Sequence, residues 1–173
     1  MSLDSTDKFT RMVHYFIWRG RSIPTIGKTV LYKLCYFSDF DFYEMNERSI
    51  TGSRYRKLER GPAPFSFDAA IRDLKKAGSV EEGEAVLGEY KQFKYASLKE
   101  PDTSLFSEEE LEVIAWEFER FGRWTANALS EFSHKDVPWI IADDNGEISY
   151  EAVFYRDPVT SVLDDEGGSA EGE

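Results

Sequence analysis

The chain has 173 residues, of which 41% are hydrophobic and 15% aromatic, and a formal net charge of -12. This length fits one domain, and so acidic a chain lacks the basic face that nucleic acid or an anionic membrane surface requires. A single cysteine, Cys35, excludes a disulfide framework and fits a small core residue in a reducing compartment. No signal peptide and no apolar stretch of ~18 residues is visible, so we expect a cytoplasmic protein.

The first part of the chain predicts two helices after a disordered N-terminus at residues 1–8. Apolar residues at helical spacing predict a first helix from Phe9 that ends at Gly20. A second helix is predicted over about residues 26–43, and its apolar residues cover nearly the whole circumference. We therefore expect a buried central helix. The acid that we single out on it, Asp39, then needs a partner, because an unpaired buried carboxylate is costly.

The middle of the chain mixes short extended pieces with one helix. Residues 54–59 predict an extended piece that Pro62 and Pro64 stop. A third amphipathic helix is predicted from Phe67 to Ala77, closed by Gly78. Residues 80–97 then change to a period of two, which predicts a small β-hairpin.

The last part of the chain returns to helix. Ser107 and Glu110 form a capping-box pattern before a fourth helix, and a short helix follows over residues 125–132. Pro138 is expected to force the chain out of helix, and residues 150–155 predict a last short helix or strand. Residues 161–173 form an acidic tail that cannot bury apolar surface and is predicted to be disordered.

These elements predict a mainly α fold, a compact helical domain around the buried aromatic helix, with a minor β-hairpin. Residues 9–160 are assigned to a single domain, in which residues 80–97 form a hairpin insertion.

One segment comes close to a phosphate-binding loop. Residues 22–29 differ by one residue from the pattern G-x-x-x-x-G-K-[ST]. Ser22 replaces the first glycine, Pro24 removes one amide, and a helix precedes the segment where a strand is required. We interpret it as the start of a helix, with Lys28 exposed.

A second dense segment runs from residue 130 to residue 139. We predict that His134 donates a hydrogen bond to Asp39 and that Trp139 packs on the core as a lid. Together with Asp136, these residues are predicted to form one structural polar network. The alternative is a metal-dependent hydrolase in which Asp39, His134 and Asp136 hold a metal or act as acid and base. The chain has two histidines and no H-E-x-x-H or C-x-x-C motif. We therefore expect no catalytic residue, no metal and no cofactor.

A local positive patch lies in residues 48–60. Its cations are Arg48, Arg54, Arg56, Lys57 and Arg60. One interpretation is a solvated loop with weak ion pairs. The other is a contact surface for an acidic partner, with Tyr55 as its aromatic anchor. The sequence leaves both interpretations open.

Four sequence blocks in a fixed order carry a family resemblance. The blocks are Lys33-Leu34-x-Tyr36-Phe37-x-Asp39-Phe40, Ile50-Thr51-Gly52-x-x-Tyr55, Gly61-Pro62-x-Pro64 and Leu129-Ser130-x-x-Ser133-His134-x-Asp136-x-Pro138-Trp139. In order and spacing they resemble the Panacea domain, the family of SocA-like antitoxins and GepA-like phage-associated proteins. The resemblance covers residues 9–157.

This resemblance implies an antitoxin that neutralises a cognate toxin by direct protein–protein binding. It brings no catalytic residues, so it implies a protein that is not an enzyme. A protease or chaperone is a further partner where neutralisation proceeds through degradation of the toxin. A phage-associated adaptor protein without a toxin partner and the hydrolase stay as alternatives. The sequence identifies neither the toxin nor the oligomeric state, and a homo-oligomer is left open.

Overall fold

The structure is a computed structural model, and it describes residues 4–163 of the chain. Residues 1–3 and the larger part of the predicted acidic tail, 164–173, lie outside the described residues. About 48% of the described residues are helical, and two small antiparallel hairpins accompany the helices. The predicted mainly α class with minor β structure is confirmed in this broad form.

The helices and strands follow one another along the chain. They are α1 (Asp4–Arg19), α2 (Lys28–Asn46), β1 (Tyr55–Leu58), β2 (Gly61–Pro64), α3 (Phe67–Lys76), β3 (Val80–Leu87), β4 (Tyr90–Ser97), α4 (Glu108–Phe121), α5 (Ala126–Ser133), α6 (Val137–Ile141) and a 3-10 helix (Tyr150–Tyr155).

Helix α2 is the buried centre of the fold, as its aromatic circumference predicted. It packs against α1, α4, α5, β2 and the 3-10 helix. Tyr36 and Phe40 of α2 stack on each other with ring centroids 4.2 Å apart, and Phe40 stacks in turn on Tyr150 of the 3-10 helix at 4.3 Å. Cys35 is free and fully buried, as expected. The helix ends where Glu47 adopts a left-handed conformation with φ of 60°.

The capping box before α4 is formed as predicted. The Ser107 hydroxyl accepts a hydrogen bond from the Glu110 amide at 3.1 Å, and the Glu110 carboxylate accepts one from the Ser107 amide at 2.9 Å. The Glu110 carboxylate also accepts a hydrogen bond from the Lys8 ammonium group at 3.0 Å. This ion pair fastens the start of α1 to α4. Helix α1 begins at Asp4, inside the segment 1–8 for which the sequence predicts disorder.

The hairpin predicted over residues 80–97 is present, with β3 and β4 antiparallel from Val80 opposite Ser97 onward. The structure also contains a second hairpin, formed by β1 and β2. The prediction that Pro62 and Pro64 stop the extended segment is wrong, because both lie within strand β2. The amide of Phe65 donates to the Arg54 carbonyl at 3.0 Å. The amides two and four residues earlier therefore face β1 as well, and both prolines occupy positions that need no N–H.

Pro138 is the second correction. It lies in the first turn of α6 and starts a helix instead of forcing the chain out of one. The missing N–H of proline has no intrahelical partner in a first turn, and its fixed φ suits that position. The segment at residues 150–155 is a 3-10 helix, one of the two structures predicted for it. Between residues 4 and 163, no helix is both long and apolar enough to cross a membrane.

Candidate partner-binding site

Strand β1 divides the predicted positive patch into an inner and an outer side. Successive side chains of a strand point to opposite faces, so Tyr55 points inward while Arg54 and Arg56 point outward. Tyr55 is fully buried, and its hydroxyl donates to the Asp39 carboxylate at 2.7 Å. The prediction that Tyr55 is a surface anchor for a partner is therefore wrong, because the alternation of β1 places it in the core.

Asp39 is fully buried and has its partners on the segment that leads into β1. Its carboxylate accepts from the Thr51 amide at 2.8 Å, the Thr51 hydroxyl at 2.6 Å and the Tyr55 hydroxyl at 2.7 Å. Burial raises the pKa of Asp39 to about 6, although the hydrogen bonds from Thr51 and Tyr55 lower it. Asp39 therefore connects the first sequence block, residues 33–40, with the second, residues 50–55, through these hydrogen bonds. The predicted Asp39–His134 pair is wrong, because the His134 ring bonds to the Glu59 carbonyl instead.

His134 and Trp139 instead hold the turn of the β1–β2 hairpin. The His134 ring is hydrogen-bonded through Nε2 to the Glu59 carbonyl at 2.9 Å, and the Trp139 indole donates to the Leu58 carbonyl at 3.1 Å. The two rings stack with centroids 4.5 Å apart. Trp139 also packs against the core, as the lid prediction required. These contacts fix the hairpin to the end of α5 and to α6.

Asp136 belongs to a third set of contacts, centred on Arg156. The Arg156 guanidinium donates to both Asp136 oxygens, at 2.8 and 3.0 Å, and to Asp41 and Glu44 at 2.8 Å each. Tyr36 donates to Asp136 at 2.6 Å. The Arg156 side chain is fully buried. Burial alone would lower the pKa of Arg156, but the Asp41 and Asp136 carboxylates outweigh it and raise that pKa well above its ordinary value.

Sequence reasoning missed Arg156, Asp41 and Glu44. A signal was present, since Asp41 lies two residues after Asp39 in the same apolar helix and needs a partner for the same reason. Arg156 is the cation that directly follows the aromatic segment 150–155. The four residues predicted to form one network, namely Asp39, His134, Asp136 and Trp139, thus lie in three separate sets of contacts. Among the described residues, no group of three His, Cys, Asp or Glu side chains could hold a metal ion.

Glu117 adds a second buried acid beside Asp41. It is fully buried, and neither of its carboxyl oxygens has a hydrogen-bond partner among the described residues. Burial raises the pKa of Glu117 well above its ordinary value, and the negative charge of Asp41 raises it further. Burial and the neighbouring Asp41 charge therefore both favour the protonated form of Glu117. Arg120, 3.3 Å from the same carboxylate, completes the cluster.

A stability measurement across pH checks this protonation state. The folded-state pKa of Glu117 is raised, so its contribution to stability is complete below its unfolded pKa and is lost as the pH rises through the folded pKa. Glu117→Gln keeps a donor toward Asp41 but cannot titrate. We expect the variant to lose stability less steeply than the wild type in thermal unfolding as the pH rises above 4.5, the ordinary pKa of this group. The control is Glu112→Gln, an exposed site on the same helix. Parallel curves for Glu117→Gln and the wild type would contradict the assignment.

The outer side of the hairpin carries an exposed cluster of two arginines and one phenylalanine. The guanidinium carbons of Arg54 and Arg56 lie 4.9 and 5.4 Å from the ring centroid of Phe65. The Phe65 side chain is 43% exposed. Arg54 also pairs with Glu147 at 3.0 Å, and both of these side chains are largely exposed. We call Arg54, Arg56 and Phe65 the Arg–Phe cluster.

The other predicted patch cations are distributed elsewhere. Arg48 pairs with Glu110 at 2.9 Å and lies over the Phe42 ring. Lys57 is half-buried and donates to the carbonyls of Ile140 and Ala142 at the end of α6, at 3.1 and 3.3 Å. Arg60 is exposed at the hairpin turn. The six predicted residues therefore do not form one surface.

Helix α6 and the 3-10 helix pack together and expose apolar side chains. The exposed residues are Ile140 and Ile141 on α6, Phe154 and Tyr155 on the 3-10 helix, and Val159 shortly after it, each at 48% or more. We call this set the apolar patch. The hydrogen bonds from Lys57 connect β1 with the end of α6. The apolar patch and the Arg–Phe cluster therefore lie on elements that are hydrogen-bonded to each other.

A family model described as "Antitoxin SocA-like, Panacea domain" matches residues 31–140. This range includes all four sequence blocks and more than half of the chain. The chain belongs to the SocA-like antitoxin, Panacea domain family. The Panacea match contains the buried contacts of Asp39, the β1–β2 hairpin and the residues that hold its turn. It ends before Arg156, whose guanidinium supports the matched region from outside.

Membership in the Panacea family gives the chain a toxin–antitoxin related role in general terms, and the family is not typically enzymatic. Neither a curated protein nor a solved structure matches the chain.

Proposed function

We propose that this Panacea domain is a cytoplasmic, non-enzymatic antitoxin that neutralises a cognate toxin by direct protein–protein binding. The contact surface is the Arg–Phe cluster, extended by the apolar patch. The single observation that carries this choice is the exposed cluster of Arg54, Arg56 and Phe65 on a strand that the buried core holds rigid.

The support for this surface is its composition. Arginine and aromatic side chains supply most of the binding energy at protein interfaces, and an exposed apolar patch marks an interaction site. The one ion pair of Arg54 among the described residues is a solvent-exposed pair with Glu147, which contributes little to stability. Arg56 has no ion-pair partner among the described residues. Both guanidinium groups are therefore available to acidic side chains of a partner, which favours a partner with an acidic contact face.

The hairpin also has a rigid support. Tyr55 binds Asp39 from the inner side of β1, and His134 and Trp139 hold the hairpin turn. A surface that is already ordered loses little conformational entropy on binding. The structure thus separates the buried contacts that shape the hairpin from the outer side chains that meet the partner.

Co-expression with the product of each neighbouring gene tests the proposal. We expect one product to be toxic alone, and the chain to relieve that toxicity and to co-purify with it. The variant Arg54→Ala/Arg56→Ala/Phe65→Ala should lose both effects, because each truncation at an interface centre costs about 2 kcal/mol or more. The matched control is Arg72→Ala/Lys76→Ala on the exposed side of α3.

The outcomes of this test are distinct. If no neighbouring product is toxic or co-purifies, the chain is an adaptor without a toxin partner and the proposal is wrong. If the cluster variant rescues as well as the control, the contact surface lies elsewhere. Delivery to a protease, with or without a chaperone, would appear as a fall in toxin level during rescue, whereas blocking leaves a stable complex. The mass of that complex gives its stoichiometry and shows whether the antitoxin forms a homo-oligomer.

A further inference from the structure

A cleft of about 520 Å³ opens where α2 begins, on the side of the molecule that the hairpin turn and β4 share. Three of its lining side chains are cationic, namely Lys28, Arg60 and Lys91, and they come from three different elements. None of the described residues that line the cleft is acidic. On a chain with a net charge of -12, this is a concentrated positive site. Such a cleft attracts anions.

The first turn of α2 faces this cleft with uncapped amides. Gly27 is the N-cap residue, and no side chain caps the helix there. The first amides of a helix lack intrahelical acceptors and carry the positive end of the helix dipole, which favours phosphate groups. This is the segment whose sequence comes close to a phosphate-binding loop. Because a helix precedes it, it is not such a loop. Its Lys28 is half-buried rather than exposed, and pairs with Asp68, itself largely exposed, at 3.4 Å.

A buried lysine provides independent evidence for an anion. Lys33 is 1% exposed, and no carboxylate among the described residues pairs with its ammonium group. It follows the lining residue Thr29 by one turn of α2. Because helical side chains lean toward the N-terminus, Lys33 extends back along the wall that Thr29 forms. Leaving a buried charge without a counter-ion is costly.

Lys33 does not line the cleft itself, but it lies against Gly61, next to the lining residue Arg60. Gly61 has φ of 121°, and a Cβ there would lie 2.7 Å from Lys33 Cε and 3.0 Å from its Nζ. Gly61 directly follows the lining residue Arg60. Burial lowers the pKa of Lys33 to about 7, and the neighbouring Arg60 lowers it further. A bound anion would relieve both effects. In addition, the Thr25 hydroxyl, in another lining residue, is buried without a hydrogen-bond partner in the described structure.

We propose that this cleft binds a phosphorylated small molecule of about nucleotide size. Its phosphate lies at the first turn of α2 between Lys28 and Arg60, with Lys33 behind it. The volume is in the range of small-molecule sites, which are commonly about 300–1,000 Å³. Phe93 lines the same cleft and provides a flat apolar wall for the remainder of the ligand. This site is separate from the proposed toxin contact and does not depend on it.

Calorimetric titration and thermal unfolding of the full chain with pyrophosphate and with ATP test the proposal. Sodium chloride at matched ionic strength is the reference. We expect saturable binding, and a higher unfolding midpoint than in the reference, because a ligand of the folded state stabilises it. Lys28→Gln/Arg60→Gln should weaken binding about tenfold or more, as expected for losing charge-assisted hydrogen bonds. The surface control Arg72→Gln/Lys76→Gln should bind as the wild type does.

Lys33→Met distinguishes a ligand site from a purely structural lysine. Methionine removes the uncompensated charge at similar volume, so the unliganded variant should unfold at the wild-type midpoint or above it. It should also bind the probe more weakly. Three results would each overturn the proposal: no saturable binding of either probe, binding that sulfate at equal ionic strength reproduces, or equal affinity in the wild type and Lys28→Gln/Arg60→Gln.

Discussion

Replacing Arg156 by methionine is expected to lower the free energy of unfolding by about 3–5 kcal/mol. The substitution leaves the carboxylates of Asp41, Asp136 and Glu44 buried without their shared cation. All three accept from Arg156 at 2.8 Å, and the arginine side chain is fully buried. Removing one partner of a buried charge pair is far more costly than the net contribution of the pair, because the remaining charge is uncompensated. Chemical denaturation at pH 7 measures the change.

A matched substitution isolates burial as the cause. Arg54→Met removes an exposed arginine that also pairs with a carboxylate, and should cost less than about 1 kcal/mol. Adding Asp136→Asn to Arg156→Met should recover part of the lost stability, because it removes one of the stranded charges. Equal losses in Arg156→Met and Arg54→Met would contradict the central position given to Arg156.

Asp39→Ala is expected to be the second most destabilising substitution, at about 3 kcal/mol or more. It removes the acceptor for three donors, the amide and hydroxyl of Thr51 and the hydroxyl of Tyr55. It also leaves a cavity in the core. Asp39→Asn should cost much less, since its amide oxygen still accepts from the Thr51 amide. The Tyr55 hydroxyl can still donate to the Cys35 carbonyl, 3.0 Å away. Denaturation of both variants at one pH makes the comparison.

The pH dependence of Asp39→Asn tests the same contacts independently. Since the folded-state pKa of Asp39 is raised from 3.8 to about 6, the folded protein holds more protons than the unfolded chain in that window. Its contribution to stability is therefore complete below pH 3.8 and is lost as the pH rises through 6. Asp39→Asn should lose stability less than the wild type does between these two pH values. A variant that keeps the full wild-type slope would argue against a titrating Asp39.

The elements that the sequence predicted well are those set by local chemistry. The capping box of Ser107 and Glu110 joins residues three positions apart, and the hairpin at residues 80–97 follows from its alternation and its turn glycines. The burial of α2 was predictable because aromatic residues surround it. Each of these patterns lies within one element or two adjacent ones, where sequence spacing determines geometry.

The mistaken predictions concern contacts between distant segments. Asp39 could be recognised as an acid in need of a partner, but the choice between Thr51 and His134 depends on how β1 packs on α2. The sequence predicts breaks at Pro62 and Pro138 because proline lacks an N–H, yet each occupies a position where the fold needs none. Sequence proximity likewise grouped Tyr55 with Arg54 and Arg56, although the strand sends Tyr55 to the opposite face. The partner of Asp41, Arg156, lies 115 residues away along the chain.

The affinity of the purified chain for its co-purifying toxin, measured for Arg54→Ala/Arg56→Ala/Phe65→Ala, tests the central claim most directly. That claim is that buried contacts shape the domain while the outer face of the hairpin binds the partner. The variant is predicted to bind at least about a hundredfold more weakly than the Arg72→Ala/Lys76→Ala control, with an unfolding midpoint close to that of the wild type. Wild-type affinity in a correctly folded cluster variant would contradict the claim.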